Sequence, residues 1–176
     1  FKIEAQSVQA HVCGALLLRD VAAKDLQRGM TIADPDVYEA TTSLIATVNN
    51  VSKSMRLRRK SQVRFHCGTS VTNAFGRLID CGELLPGQNA FMQFTLDEPI
   101  VLSAGDNYII RALSPRATLG GGAVLSVRKN ITLKGTSTLV MEGLNAARRA
   151  VENGDYLTAE LLVGRSGIVE QDMLRR

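Results

Sequence analysis

The sequence has 176 residues, of which 45% are hydrophobic and 22% are charged, and its formal net charge is +4. This composition indicates one or two small folded domains and excludes a disordered chain. No apolar run approaches the ~20 residues that a membrane-spanning helix needs, so we expect no membrane as a partner. The chain does not begin with Met, and we interpret it as a fragment of a longer protein.

The cysteines and histidines give no metal-binding pattern. Cys13, Cys67 and Cys81 are far apart and form no CxxC motif, and the only histidines are His11 and His66. We therefore expect no metal site, and reduced thiols in a cytoplasmic protein.

Residues 1–35 are predicted to form strands joined by turns. FKIEAQ alternates apolar and polar side chains, and Arg28-Gly29 marks a turn before an expected strand, MTIA. The segment from Asp34 to Asp36 is an expected linker, because the residue before a proline avoids the helical conformation.

Short strands dominate the prediction for residues 36–128. The candidates are YEATTSLIATV, SQVRFHCG, NAFGRLID, AFMQFTLDEPIVL and YIIRAL. Pro86-Gly87 takes the central positions of an expected type II turn, and AGDN is a second expected turn. Five or more strands at even spacing predict an antiparallel β-barrel or a sandwich.

The pattern changes to a helical period in residues 129–176. Apolar residues recur at helical spacing at Leu139, Val140, Leu144, Ala147 and Val151. Asn153-Gly154 should end this helix, and Asp155 should cap a second helix that ends at Gly164. Ser166 is expected to cap a third short helix, GIVEQDMLRR, so this segment resembles the start of a winged-helix unit.

Gly120–Gly122 raise the possibility of a phosphate-binding loop. The sequence contains no GxxxxGK[ST] string, and AVLSV after the glycines predicts a strand rather than a helix. We expect a strand in which the glycines allow a bulge or the close approach of another backbone. Asp97-Glu98 and Asp106 are expected in turns, so nothing predicts an enzyme.

The region from Lys53 to Arg64 contains six basic residues and no acidic ones. Such a run either neutralises nucleic-acid phosphates or forms a solvated surface, and both interpretations stay open here. In SQVRFHCG, alternation should place Arg64 and His66 on the face opposite Val63 and Phe65. No catalytic His–Cys pair is expected, because the side chains of His66 and Cys67 point to opposite faces of the strand.

Three segments, VRFHCGTSVTNA, LLPGQNAFMQFTLDEPI and AGDNYIIRALSPRATLGGGAVLSV, resemble the third domain of translational GTPases related to elongation factor Tu. Among these factors, the form SPRATLGGG is most similar to the selenocysteine-specific elongation factors. LRDVAAKDLQRGMTIAD is similar to the end of the second domain of the same family.

The resemblance implies a mainly β fold with an α appendage. Residues 1–35 would end a second barrel, residues 36–128 would form the antiparallel third-domain barrel, and residues 129–176 would begin a winged-helix extension. The parent protein would deliver selenocysteinyl-tRNA to the ribosome at recoded UGA codons, and its extension would bind an mRNA hairpin. GTP and Mg²⁺ would bind a GTPase domain that this sequence lacks, since it has neither GxxxxGK[ST] nor NKxD.

The resemblance also implies which residues face the tRNA. They are Arg64, His66, Gly68 and Thr69 in one loop, and Ser114, Pro115, Arg116 and Thr118 in another. Arginine and histidine side chains can donate to phosphate or ribose oxygens. From Thr138 onward there are five basic and six acidic residues, so the helices are expected to be a spacer.

Two alternatives remain open at this point. The chain could belong to another translational GTPase related to elongation factor Tu, which selectivity for one aminoacyl-tRNA would distinguish. It could instead be a non-catalytic β-barrel adaptor for protein partners, whose basic surface would show no affinity for tRNA.

Overall fold

The computed structural model describes residues 7, 14–15, 17–34, 36–127, 131–132, 137–165 and 169–170. Ten strands follow a short 3₁₀ helix, Ala23–Asp25. They are β1 (Ala40–Asn50), β2 (Leu57–Arg58), β3 (Lys60–Cys67), β4 (Ser70–Leu78), β5 (Glu83–Leu84), β6 (Asn89–Val101), β7 (Asn107–Arg111), β8 (Thr118–Ser126), β9 (Ile131–Thr132) and β10 (Val169–Glu170). The helices are α1 (Thr138–Glu152) and α2 (Tyr156–Arg165).

Six of the strands close into an antiparallel barrel in the order β1-β6-β4-β3-β7-β8. Pairing of β8 with β1 completes the ring. Two small sheets, β2 with β5 and β9 with β10, lie outside this order. The mainly β fold with an antiparallel barrel is therefore confirmed, and the five predicted strand segments correspond to β1, β3, β4, β6 and β7.

The barrel interior is filled by side chains from alternate strand positions. At its centre, the rings of Phe65 and Tyr108 stack with centroids 4.8 Å apart, and Phe94 meets both edge-on. The Tyr108 hydroxyl donates a 2.7 Å hydrogen bond to the carbonyl oxygen of Thr47. Burial raises the pKa of Tyr108, so this hydroxyl keeps its proton and its role as a donor.

Two turns between strands have the predicted glycine geometry. Gly87 has φ +80°, and the backbone N–H of Gln88 donates to Leu85 O at 3.1 Å, as in a type II turn. Gly105 has φ +91° in a turn closed by the Asp106 N–H and Ser103 O at 3.2 Å. Both turns require the left-handed conformation that glycine adopts without strain.

The three consecutive glycines lie in β8, where this strand pairs with β1 on one side and with β7 on the other. A β-carbon at Gly120 or Gly122 would overlap a carbonyl oxygen of β1, and one at Gly121 would overlap a carbonyl oxygen of β7. The predicted close approach of neighbouring backbones is thus confirmed, and the glycines are part of barrel closure.

The helices have the side-chain caps that their sequences favour. The Ser137 hydroxyl accepts from the Val140 N–H at 3.4 Å. Asp155 Oδ1 accepts from the Thr158 N–H at 3.1 Å, which confirms the predicted cap of α2. Gly154, with φ +78°, follows the end of α1 as predicted.

Both helices cover one side of the barrel. Val140, Leu144 and Ala147 of α1 and Ala159 and Val163 of α2 are buried in a second core. The barrel contributes Ile45, Phe91 and Leu125 to this core, from the outer faces of β1, β6 and β8. Glu160 of α2 adds polar contacts by accepting from the Ser126 hydroxyl at 2.6 Å and from the Val127 N–H at 2.9 Å. Ile79, directly after β4, also belongs to this core, whereas none of its described residues comes from β3 or β7.

The structure differs from the predictions at Asp97-Glu98, which lie in β6 and not in a turn, and at both ends of the chain. MTIA forms no strand, because the closed barrel offers no free edge with which it could pair. Helix α2 continues through Gly164 to Arg165. The predicted third helix is wrong at Val169–Glu170, which pair with β9 as β10, so a strand partner supplies their backbone hydrogen bonds.

The remaining predictions for the ends fall outside the described residues. FKIEAQ and most of GIVEQDMLRR are among them. The division into residues 1–35, 36–128 and 129–176 stays a prediction.

Candidate nucleic-acid interface

The basic run between Lys53 and Arg64 is divided between the segment before β2, β2 itself and β3. Arg56 pairs with Glu83, with 3.2 Å between Nη1 and Oε2. Arg58 lies in β2, which pairs with the strand that carries Glu83. Lys60 and Arg64 both lie in β3, Lys60 at its start and Arg64 in its second half.

Strand β3 alternates as its sequence predicts. Val63 and Phe65 are fully buried inside the barrel, whereas Arg64 is exposed and His66 is partly exposed on the outside. The outward face of β3 is thus available to a partner on the side away from the helices.

Three arginines and a histidine surround a surface cavity on this face. Arg64 of β3 lies directly opposite Arg111 of β7 in the strand register. Together with His66 and Arg116, they line a cavity of about 120 Å³. The other lining residues are neutral, namely Val71, Ala112 and Leu113, so no acidic side chain offsets the charge. We refer to Arg64, His66, Arg111 and Arg116 as the basic cluster.

The loop that carries Arg116 is held by its own hydrogen bonds. Arg111 Nη2 donates to the carbonyl oxygen of Arg116 at 3.2 Å. The backbone N–H of Ala112 donates to Ala117 O at 2.8 Å, and the Ser114-Pro115 peptide bond is cis. The cluster is therefore assembled by two strands and a closed loop rather than by one sequence segment.

Two nitrogen atoms of the basic cluster are buried without a hydrogen-bond partner among the described residues. They are His66 Nε2 and Arg111 Nε. Buried polar atoms in proteins nearly always have a partner, so these two nitrogens mark the cluster as a candidate binding site. Burial lowers the pKa of His66 from its ordinary 6.5, and the charges of Arg111 and Arg64 lower it further. In the protein without a ligand, His66 is consequently mostly neutral at pH 7.

The structure brings together only part of the predicted tRNA-facing set. Arg64 and His66 lie in strand β3, not in a loop, and they meet Arg116 across the cavity. Gly68 and Thr69 form the tight turn between β3 and β4 and do not line the cavity.

The remaining predicted residues lie around Arg116. Ser114, Pro115 and Thr118 are exposed beside it and do not line the cavity either. The assignment of all eight residues to tRNA contact stays a prediction.

Arg111 is the residue of the cluster that sequence reasoning missed. Its place at the end of YIIR gives it an outward position by alternation, which was a usable signal. What the sequence could not provide was the register that sets it opposite Arg64, because β3 and β7 are about 45 residues apart and pair only in the closed barrel.

Two larger cavities lie elsewhere and have a different character. One, of about 420 Å³, runs between α1 and the barrel and mixes Asp80 and Glu152 with Arg148. The other, of about 460 Å³, lies between residues 31–33, the turn at Gly105 and Tyr156. Neither concentrates positive charge.

Among the described residues, no three His, Cys, Asp or Glu side chains lie close enough together to hold a metal ion. None of the helices found there is long and apolar enough to cross a membrane.

Comparison with known proteins places the barrel in a family. Residues 44–130 match the family model described as "Selenocysteine-specific elongation factor, beta-barrel domain". The chain is also 25% identical over 162 residues to a selenocysteine-specific elongation factor of Desulfomicrobium baculatum. That similarity covers 90% of the chain but 25% of the relative, so the chain spans about a quarter of the relative's length. The barrel of this chain is therefore a β-barrel domain of the selenocysteine-specific elongation factor family.

Proposed function

We propose that this chain is the part of a selenocysteine-specific elongation factor that holds the tRNA by its sugar–phosphate backbone. The observation that carries the proposal is the basic cluster, which presents three arginines and a histidine around one acid-free cavity. It lies on the strands opposite those that the helices cover. The chain itself would bind and would not catalyse.

The chemistry of the cluster suits RNA backbone better than bases. Guanidinium groups donate in a planar fork that matches phosphate oxygens. No Phe, Tyr or Trp side chain lines the cavity, so the large aromatic platform on which bases usually stack is missing from it. The cluster therefore favours contacts that position a tRNA without reading its sequence.

The roles of the whole protein belong to the same proposal. A GTPase domain, with GTP and Mg²⁺, would supply the switch that delivers selenocysteinyl-tRNA to the ribosome in the cytoplasm. The helices would connect the barrel to an extension that binds the mRNA hairpin, beginning with α1, α2 and the β9–β10 pair. Because Glu160 fixes α2 to the barrel, this connection would be a rigid one.

The proposal is tested by tRNA binding of the 176-residue chain across a series of salt concentrations. Arg64→Ala and Arg116→Ala should each weaken binding and reduce the salt slope, by up to about one unit, because each removes a positive charge that faces phosphate. Arg148→Ala is the matched control, since Arg148 lies on α1 and pairs with Glu152 at 3.8 Å. Its affinity and slope should equal those of the unmodified chain.

A protein partner is the second candidate for the same face. Val71, Phe75 and Ile109 are 40–51% exposed there, and Val71 and Ile109 lie in register on either side of His66. Exposed apolar groups beside charges are typical of protein interfaces. Absence of salt-dependent tRNA binding in the unmodified chain, even at low salt, would favour this adaptor function and would contradict the proposal.

A further inference from the structure

We infer that the basic cluster is a discrete site for one phosphodiester group, and that His66 gains a proton when this group binds. The inference rests on the proposed function for the source of the phosphate. The inference adds that one phosphate group occupies the site, that His66 and Arg111 donate to it, and that binding depends on pH.

The size of the cavity and its free donors define the ligand. A surface cavity of about 120 Å³ that is lined by three arginines and a histidine suits one tetrahedral oxyanion. His66 Nε2 and Arg111 Nε have no hydrogen-bond partner among the described residues, and a rotation of either side chain would let it donate to an anion in the cavity. Arg64 and Arg116 are exposed at the cavity and can close over the oxygens that remain.

The surroundings of His66 explain why its proton should depend on the anion. Its own strand contributes Arg64, β7 contributes Arg111 and the neutral Ile109, β4 contributes the neutral Val71, and the loop contributes Arg116. Burial and the neighbouring guanidinium groups oppose a positive imidazole in the free protein. A phosphate in the cavity would reverse the sign of the local field, so that the protonated ring becomes favoured.

The direction of the pH effect follows from linkage. Anion binding raises the pKa of His66, so the complex holds more protons than the free protein between the two pKa values. Affinity should therefore rise as pH falls through the bound-state pKa, and level off below the free-state pKa. Each unit by which the anion raises this pKa corresponds to at most about tenfold in affinity.

The first measurement is an NMR titration of the His66 ring in the 176-residue chain, with and without sulfate. Sulfate is the probe because it keeps its charge over the pH range in which histidine titrates. Sodium chloride at equal ionic strength is the control, because screening of the arginines alone also raises the pKa. The ring signals are assigned by their loss in His66→Asn, which distinguishes them from those of His11.

Sulfate is expected to raise the pKa of His66 well beyond the chloride control. Arg111→Lys keeps the positive charge but removes Nε, so it should reduce the rise caused by sulfate. An equal pKa in sulfate and in chloride would overturn the inference.

The second measurement is tRNA affinity at constant salt between pH 8 and pH 6. The unmodified chain should bind several-fold more tightly at the lower pH, within the limit of ~tenfold per unit of pKa shift, and His66→Asn should show a flat profile. If tRNA binds but the two profiles coincide, the inference fails and the proposed function stands. If sulfate raises the pKa of His66 but tRNA does not bind, the anion site stands and the proposed function fails.

Discussion

Gly122 shows at the scale of single residues how closely the barrel strands approach. A β-carbon there would overlap the carbonyl oxygen of Thr47 in β1, and a rigid backbone cannot yield as a flexible side chain would. We expect Gly122→Ala to lower the free energy of unfolding by about 1–3 kcal/mol, as overpacking of a close contact does. Chemical denaturation measures this change directly.

Gly82 provides the matched control for this substitution. A β-carbon at Gly82 would meet no atom within 4 Å, so Gly82→Ala should change the free energy of unfolding by less than ~0.5 kcal/mol. Equal stability of the two variants would contradict the role of the glycines in barrel closure.

The glycines of β8 and the basic cluster show how much of a site can be predicted from sequence. The missing lysine after Gly120–Gly122 and the strand-like AVLSV were sufficient to reject a phosphate loop and to predict close backbone approach. Arg64 and His66 were placed on the outward face by alternation alone. Arg111 could not be added, because its position opposite Arg64 depends on long-range register.

Glu160 links two elements, α2 and β8, by accepting hydrogen bonds from the Ser126 hydroxyl and the Val127 N–H. We expect Glu160→Ala to destabilise the attachment of α2 by about 1.5–3 kcal/mol, the range for hydrogen bonds to a charged group. Hydrogen exchange should then be faster at the amides of α2 while the barrel strands stay protected.

The exposed Glu152 is the control for this prediction. Its side chain is 63% exposed and pairs only at 3.8 Å with Arg148 one helical turn away. Such surface pairs contribute little, so Glu152→Ala should leave exchange in α2 unchanged. Faster exchange of α2 in both variants would contradict a specific role of the Glu160 hydrogen bonds, because alanine is the better helix former and its propensity alone would not speed exchange.

Strands were predictable where the local sequence pattern matches an element that has a partner in the fold. The strands of the barrel alternate and end at glycine turns, so their positions follow from local sequence. MTIA also reads as a strand, but the described structure gives it no partner, and strands need one. Val169–Glu170 pair with β9 for the converse reason, since a partner strand is present there.

The barrel and the two helices depend on one another at the scale of the molecule. Ile45, Phe91 and Leu125 are buried on the outside of the barrel by α1 and α2. A chain that ends at Val127 would expose them to water, so we expect lower thermal stability and self-association. Size-exclusion chromatography and thermal unfolding test this, and a monomer as stable as the whole chain would contradict it.

The family and the architecture of the barrel were predictable from the sequence, because its motifs span several strands in order. The RNA-binding role does not follow from the sequence similarity alone, because the chain covers about a quarter of the relative's length. Its support comes from the structure, which places a cluster of positive charge opposite the face that the helices cover.

The most direct test is NMR mapping of the isotopically labelled 176-residue chain on addition of selenocysteine tRNA at moderate salt. We predict that amide signals change in β3, β7 and the loop 112–117, centred on the basic cluster, while those of α1 and α2 do not. Changes confined to the helices, or no changes at all, would contradict the central claim that this face of the barrel binds the tRNA backbone.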